Sequence, residues 1–291
     1  MSPDGGSLFI VATPIGTLDD FAPRAHEVLD EVEMILAEDT RRARKLLNHI
    51  GVVPGRRVRS FHEHNESDRL PLVLDTLRRG GSVALMSDAG TPVLSDPGFI
   101  LVRAVREEGL PVATIPGPSS FAAALAASGQ PPLPATLVGF LPGRTGPRRS
   151  RIAELDKVPW ALVVLLSPHR LRAELEDLAT GLGSDRPATL LAELSKMYER
   201  AVMATLGELA NSEEAANPRG EYVVVVGPAL QTASRGPVDP RRIRAAYAMA
   251  VDAGLTRKEA LKAVAAELGV GRRAVFDSLI KDEINADQQS S

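Results

Sequence analysis

The chain has 291 residues, is 44% apolar and 24% charged, and carries a net charge of −3. That is the composition of a water-soluble globular protein with length for about two domains, and no apolar run approaches the ~20 residues of a membrane span. Cysteine is absent, which removes disulfides, thiolate metal sites and a Cys nucleophile and suits a reducing, cytoplasmic setting.

The N-terminal MSPDGGS has no basic region followed by an apolar one, so no secretory signal is expected. Leu8–Ala12 reads as a buried strand ending in the loop Thr13-Pro14-Ile15-Gly16. A helical stretch follows, with Ala25, Val28, Leu29 and Val32 at helical spacing. Met34–Ala37 is the next strand, and it runs into Glu38-Asp39-Thr40-Arg41 and a basic helix closed by Gly51. Arg57–Ser60 is a candidate third strand, followed by His62-Glu63-His64-Asn65-Glu66 and a helix over Asp68–Arg79. Val83–Met86 is a fourth strand entering Ser87-Asp88-Ala89-Gly90-Thr91-Pro92, and Pro111–Ile115 a fifth entering Pro116-Gly117-Pro118-Ser119-Ser120. Helices are expected over Gly98–Glu108 and Phe121–Ala127. Five alternations of strand and helix predict a parallel sheet with helices on both faces.

Gly129-Gln130-Pro131-Pro132 breaks the pattern, so domains are expected at 1–129 and 130–228. Strands in the second are Thr136–Phe140, Ala161–Leu166, Ala188–Glu193, Arg200–Thr205 and Tyr222–Val226; its helices are Arg148–Leu155, His169–Thr180 and Leu206–Asn217. The irregular alternation predicts a mixed sheet. Residues 229–240 read as a linker, 241–283 as a helical unit and 284–291 as a disordered tail. Thr256-Arg257-Lys258-Glu259 has the form of a capping box. With a second helix over Arg272–Lys281 after Gly-Val-Gly, the unit resembles a helix-turn-helix. Packing on the body or on a second subunit is the alternative use of such a tail. It is basic, with nine Arg/Lys against six Asp/Glu, whereas the first 240 residues hold 25 against 30.

The strand-end loops bound the ligand. No GxxxxGK[ST] occurs, and the first strand ends in TPIGTL instead of GxGxxG, so neither a P-loop nor a nicotinamide dinucleotide site is expected. Prolines in these loops remove amides that would hold a pyrophosphate. A ligand with little or no phosphate suits them better. His62 and His64 form an H-x-H, but no third His or Cys is near, so no metal is expected.

Taken in order, TPIG at 13–16, AEDTR at 37–41, HEHNE at 62–66, SDAGTP at 87–92 with DPG at 96–98, PGPSS at 116–120, SPHR at 167–170 and ELSK at 193–196 form a specific set. The chain from Leu8 to Gly227 resembles the rRNA ribose methyltransferases of the tetrapyrrole methylase superfamily. The resemblance implies two α/β domains with S-adenosylmethionine in the cleft between them, and a small helix-turn-helix-like appendage. It also implies 2′-O-methylation of a cytidine in the decoding region of small-subunit rRNA, by a homodimer. Carried over by motif, the cofactor should touch Pro14, Ile15, Asp88, Ala89, Gly90, Ser119, Ser120, Leu166 and Ser167.

The chemistry is an in-line displacement in which the protein mainly aligns atoms. The attacking hydroxyl is a weak acid, so a positioned base would help. Candidates are Glu38, Asp39, Asp88 and Lys196. Lys196 needs a lowered pKa to act as a base; if it stays charged it can stabilise an oxyanion or hold a phosphate. Glu38 and Asp39 can equally be salt-bridged to Arg41 or Arg42. His62, His64 and Arg41 are candidate substrate contacts. Arg144, Arg148, Arg149 and Arg151 form a basic, acid-free loop expected to meet RNA phosphate, with salt-dependent binding. Two other functions fit less well: a tetrapyrrole-type small-molecule methyltransferase, and a non-enzymatic RNA-binding protein.

Overall fold

The four-residue apolar run LFIV forms β1 (Leu8–Val11), an interior strand of the N-terminal sheet. The computed structural model describes residues 6–229, 240–268, 275–276 and 278–279. The chain divides into two compact units, Met1–Ala229 and Leu230–Ser291. In the first, β1 is followed by α1 (Pro23–Glu31), β2 (Met34–Ala37), α2 (Thr40–His49), β3 (Val58–Ser60), α3 (Glu66–Arg78), β4 (Val83–Met86), α4 (Phe99–Glu107), β5 (Val112–Ile115) and α5 (Ser120–Ala127). The strands pair in the order β3-β2-β4-β1-β5, all parallel, as the alternation predicts.

Alternate residues of these strands face opposite ways. Val11, Ile35, Ala37, Ala84 and Met86 pack with Ala25 and Leu29 of α1 and Ala43 and Leu47 of α2. Leu8, Ile10, Leu36, Val83 and Leu85 pack with Val73 and Leu77 of α3 and Leu101 and Val105 of α4. Both faces are therefore covered, and every carboxyl end opens on the same edge of the sheet.

The second half adds β6 (Ala135–Phe140), α6 (Thr145–Leu155), β7 (Ala161–Leu166), α7 (Leu171–Leu182), β8 (Pro187–Ala192), β9 (Arg200–Thr205), α8 (Leu206–Ala210), α9 (Glu213–Ala216) and β10 (Tyr222–Val226). Its sheet has the order β6-β7-β10-β8-β9 and is mixed: β6 and β7 are parallel, and β10 runs antiparallel to both β7 and β8. One face packs on α6 to α9. The other face meets α5 through Ala124 and Leu125 against Val163, Leu191, Val223 and Val225. Thus α5, which the sequence pattern grouped with the first sheet, seals the second. The crossover between the sheets is fixed by buried polar groups: Gln130 Nε2 donates to Thr189 Oγ1 (3.2 Å), and Thr189 Oγ1 donates to the Ser128 carbonyl (2.7 Å).

Two expected elements differ. Leu206–Asn217 is not one helix but two, because Ser212 caps a new turn by accepting from the Ala215 amide. The basic segment Arg144–Arg151 is not a loop; from Thr145 it is the start of α6.

The C-terminal unit contains α10 (Pro240–Asp252) and α11 (Arg257–Leu268). The capping box at Thr256 is present: Glu259 N–H donates to Thr256 Oγ1, and Thr256 N–H donates to Glu259 Oε2 (3.0 Å). Ile243, Val264, Ala265, Leu268 and Val275 form its core. The tail from 284 on, the stretch 230–239, the Gly-Val-Gly turn and most of the Arg272–Lys281 helix lie outside the described residues.

Candidate functional site

Neighbouring strands bring neighbouring motifs together. Because β1 lies beside β4, the TPIG and SDAG loops meet: Thr13 N–H donates to the Gly90 carbonyl (2.8 Å) and Gly90 N–H donates back to Thr13 (3.0 Å). Because β2 also lies beside β4, Asp39 N–H reaches Asp88 Oδ1 (3.2 Å), and Arg42 from the first turns of α2 pairs with Asp88 Oδ2 (3.1 Å). The first loop then clasps the second half of the unit. Thr17 N–H donates to Ser195 Oγ (3.4 Å), and Ser195 Oγ donates to Asp20. Gly16 is required there: a Cβ would stand 2.7 Å from both Lys196 Cγ and the Ser195 carbonyl.

Between the strand ends of the two sheets lies a cavity of about 710 Å³. Of the residues expected at the cofactor, Ile15, Asp88, Ala89, Gly90, Ser119, Ser120 and Leu166 line it. Pro14 does not; it lines a smaller adjoining cleft against α2. Ser167 is also outside the lining, and its amide donates to Glu174 Oε2 (2.9 Å). Glu38, His62 and His64 line the cavity as well. His62 N–H donates to Asn65 Oδ1 (2.9 Å), which turns Asn65 Nδ2 toward His62 Nε2 (3.1 Å). That makes Nε2 the acceptor and leaves the proton on Nδ1. Nδ1 is buried with no partner among the described residues.

The remaining candidates fall elsewhere, and several expectations are corrected. Asp39 is not in the cavity; it caps α2 by accepting from the Arg41 and Arg42 amides, and its bonds to Arg41 hold its pKa well below the usual carboxylate range. Its role is structural. Arg41, paired with Asp39, faces solvent. Lys196 lacks the environment of a base. Burial opposes its charge, but hydrogen bonds to Glu193 Oε1 and Glu221 Oε2, both 2.9 Å, outweigh that and raise its pKa. Arg148 is not a phosphate contact: it is buried, with its side chain 4% exposed, and pairs with Asp177, itself 5% exposed. Arg149 shares Asp177 but is 66% exposed, Arg151 pairs with Glu154, and Arg144 is exposed at the start of α6.

Sequence reasoning missed two parts of the wall. Tyr222 and Val223 line the cavity although they begin a strand. Since β10 is antiparallel to β7, with Tyr222 opposite Leu166, its start lies at the end where β7 finishes. The rule that ligands sit at carboxyl ends of strands hides such a residue. Asp96 was visible only as part of DPG. It lines the cavity with Glu38 and Asp88, and burial first, then those two charges, push its pKa up to about 6.

The cavity is therefore lined both by carboxylates and by the apolar side chains Ile15, Leu137, Leu165, Leu166 and Leu194. Its volume suits a ligand of nucleoside size. Acidic groups match positive charge on the ligand, the apolar side chains match a flat ring system, and the orphaned His62 N–H matches an acceptor. No group of acidic or histidine residues among the described residues is arranged to hold a metal ion. No described helix is long and apolar enough to cross a membrane.

Comparison with known proteins agrees with this architecture. Residues 7–210 match the family model described as tetrapyrrole (corrin/porphyrin) methylases. The chain is 42% identical over 275 residues to ribosomal RNA small subunit methyltransferase I of Xylella fastidiosa, covering 93% of this chain and 98% of the relative. It is 38% identical over 281 residues to the protein of the same name from Escherichia coli O157:H7, covering 96% of each. Among solved structures, uroporphyrin-III C-methyltransferase from Thermus thermophilus, complexed with S-adenyl homocysteine, superposes with a TM-score of 0.53 at 22% identity, covering 76% of this chain and 97% of that one.

Proposed function

This chain belongs to the tetrapyrrole methylase family and, within it, to the ribosomal RNA small subunit methyltransferase I group, and from that premise we propose that it methylates the ribose 2′-oxygen of a cytidine in the decoding region of small-subunit rRNA. The methyl donor is S-adenosylmethionine. The observation that carries the reading is the cavity at the facing strand ends, lined by both carboxylates and aliphatic side chains. When bound, the donor supplies a methyl group already activated by the positive charge on its sulfur.

The residues of the chain supply position and electrostatics. Asp88, held by the Asp39 amide and Arg42, offers a fixed acceptor to a hydroxyl or a cation. Ser119 and Ser120 open α5 at the cavity, and Ser119 is not used as a side-chain cap, so its hydroxyl is available to ligand. Ile15 and Leu166 cover a ring from opposite sheets. The exposed Arg149 and Arg151 on α6, Arg144 just before it, and Arg41 on α2 supply positive charge for the RNA backbone, and His62 and His64 stand where a nucleotide enters. Lys196 acts as a cation that ties the ELSK turn to Glu221 at the cavity wall. A cytoplasmic homodimer acting on rRNA or the assembled small subunit completes the reading.

The test is methyl transfer from radiolabelled donor to small ribosomal subunits and to naked rRNA, followed by mapping of the label. Label on one cytidine ribose is expected. Label on a base, or none on either substrate, would remove the proposal. Calorimetry with S-adenosylhomocysteine should give saturable binding at one site per chain, weakened at least 10-fold by Asp88→Ala.

A further inference from the structure

We infer that Asp96 is the base of this reaction: it takes the proton from the attacking ribose hydroxyl. The inference rests on the methyltransferase reading of the cavity. It begins with the loop that follows β4. Val93 and Ser95 have φ of 75° and 71°, a backbone region that β-branched and other L side chains rarely adopt. Such conformations persist only where surrounding structure imposes them, and they gather at functional sites. Here the constraints are visible on both sides of Asp96. A bulge in β6 places Gly139, φ 75°, where a Cβ would stand 3.0 Å from Ser95 Oγ. Gly98, φ 128°, leaves a gap that Leu85 fills, with Leu85 Cδ2 2.5 Å from where a Cβ would be. Asp96 is thus held in the cavity wall between two anchored neighbours.

Most of the other ionisable groups of the wall are paired or exposed. Asp88 has one oxygen on the Asp39 amide and the other on Arg42. His62 has its acceptor nitrogen on Asn65. Tyr222 donates its hydroxyl proton to Glu214 Oε2 (2.9 Å), and burial raises its pKa. Glu38, Glu63 and His64 are exposed. The remaining charged or titratable groups of the wall, His169 and Glu221, come from the second half of the unit, and Glu221 accepts from Lys196. Burial first, then Glu38 and Asp88, raise the proton affinity of Asp96 to a pKa of about 6, which the nearby Ser87 hydroxyl offsets only in part. A base works best when its pKa lies just below the working pH. The step balances: the hydroxyl proton passes to the Asp96 carboxylate, the O–C bond forms, and the C–S bond of the donor breaks with its electron pair left on sulfur. Asp96 then returns the proton to solvent.

Three measurements test this. Asp96→Asn should bind S-adenosylhomocysteine within about two-fold of wild type while turnover falls at least ~100-fold. Wild-type turnover should fall as pH drops through about 6, and Glu38→Gln, by removing a like charge, should move that acid limb to lower pH. Without any donor present, Asp96→Asn should melt above wild type at pH 8, with the gap shrinking as pH falls to 4. The sign follows from a raised carboxylate pKa: ionisation costs the folded state more than the unfolded one, so wild type loses stability as pH rises through about 6. Wild-type turnover in Asp96→Asn, loss of S-adenosylhomocysteine binding with the fold intact, or an acid limb unmoved in Glu38→Gln would each overturn the assignment. If wild type itself transfers no methyl to small-subunit rRNA, the functional reading falls with it; if wild type is active and Asp96→Asn equally so, only the assignment to Asp96 falls.

Discussion

Gly16 shows how much one missing Cβ decides at the residue scale. The TPIG turn and the ELSK turn are 180 residues apart in sequence, yet Gly16 lies against Lys196 Cγ, the Ser195 carbonyl and the Leu194 carbonyl, all within 2.8 Å of where its Cβ would be. Two of those three are backbone atoms, which cannot rotate away. Gly16→Ala should therefore push the turns apart, at a cost of about 1–3 kcal/mol as for other overpacked sites. Because Ile15 and Leu194 both line the cavity, the same change should weaken S-adenosylhomocysteine binding by at least several-fold. Urea melts and calorimetry check both parts. An unchanged affinity would mean that the contact between these turns does not shape the cavity.

At the scale of elements, α6 and α7 are joined by an ion pair that a sequence reading assigns to the surface. Arg148 and Asp177 are both buried, and the exposed Arg149 shares the same carboxylate. Burial works against the Asp177 charge, but the two arginines together hold its pKa below the ordinary value. Removing one partner of a buried pair leaves an uncompensated charge and costs about 3–5 kcal/mol, whereas exposed pairs contribute about 0–1 kcal/mol. Arg148→Ala should accordingly lower stability by about 3–5 kcal/mol in urea melts, and Arg149→Ala by less than about 1 kcal/mol. Of the two, Arg149→Ala is the variant that tests RNA contact, with rRNA affinity falling and its salt dependence becoming shallower. Equal destabilisation by the two variants would contradict the unequal burial.

On the scale of the whole molecule, every residue lining the cavity belongs to the unit Met1–Ala229. Both sheets and the crossover between them also lie in that unit. A chain ended at Ala229 should fold and bind S-adenosylhomocysteine within about two-fold of the full chain. Circular dichroism and calorimetry read this directly, and a ten-fold loss of affinity would show that residues beyond 229 complete the binding site. Any contribution of the C-terminal helices to RNA affinity would appear in the same comparison as a change in rRNA binding alone.

Local sequence specified most of the elements and which end of the first sheet carries the small, polar loops. Short apolar runs such as LFIV, MILA and VALM read as buried strands, and each runs directly into a loop of small and polar residues, so the motif positions of Ile15, Asp88, Gly90 and Ser119 were legible. Local pattern also fixed the Thr256 capping box and the mixed character of the second sheet. Which charges remain available depends on long-range packing. Arg148 and Arg149 are adjacent in sequence and alike in chemistry, and Asp177, in α7, makes one a buried ion pair and leaves the other in water. Lys196 keeps its charge because Glu193, three residues before it, and Glu221, which precedes β10, converge on it. Asp96 acquires its proton affinity from burial and then from Glu38 and Asp88, which the sheet order brings beside it, and Tyr222 reaches the cavity because β10 runs antiparallel to its neighbours. Charge, burial and proton affinity depend on distances across the fold, and those distances are set by strand order and direction, which a local run of residues does not encode.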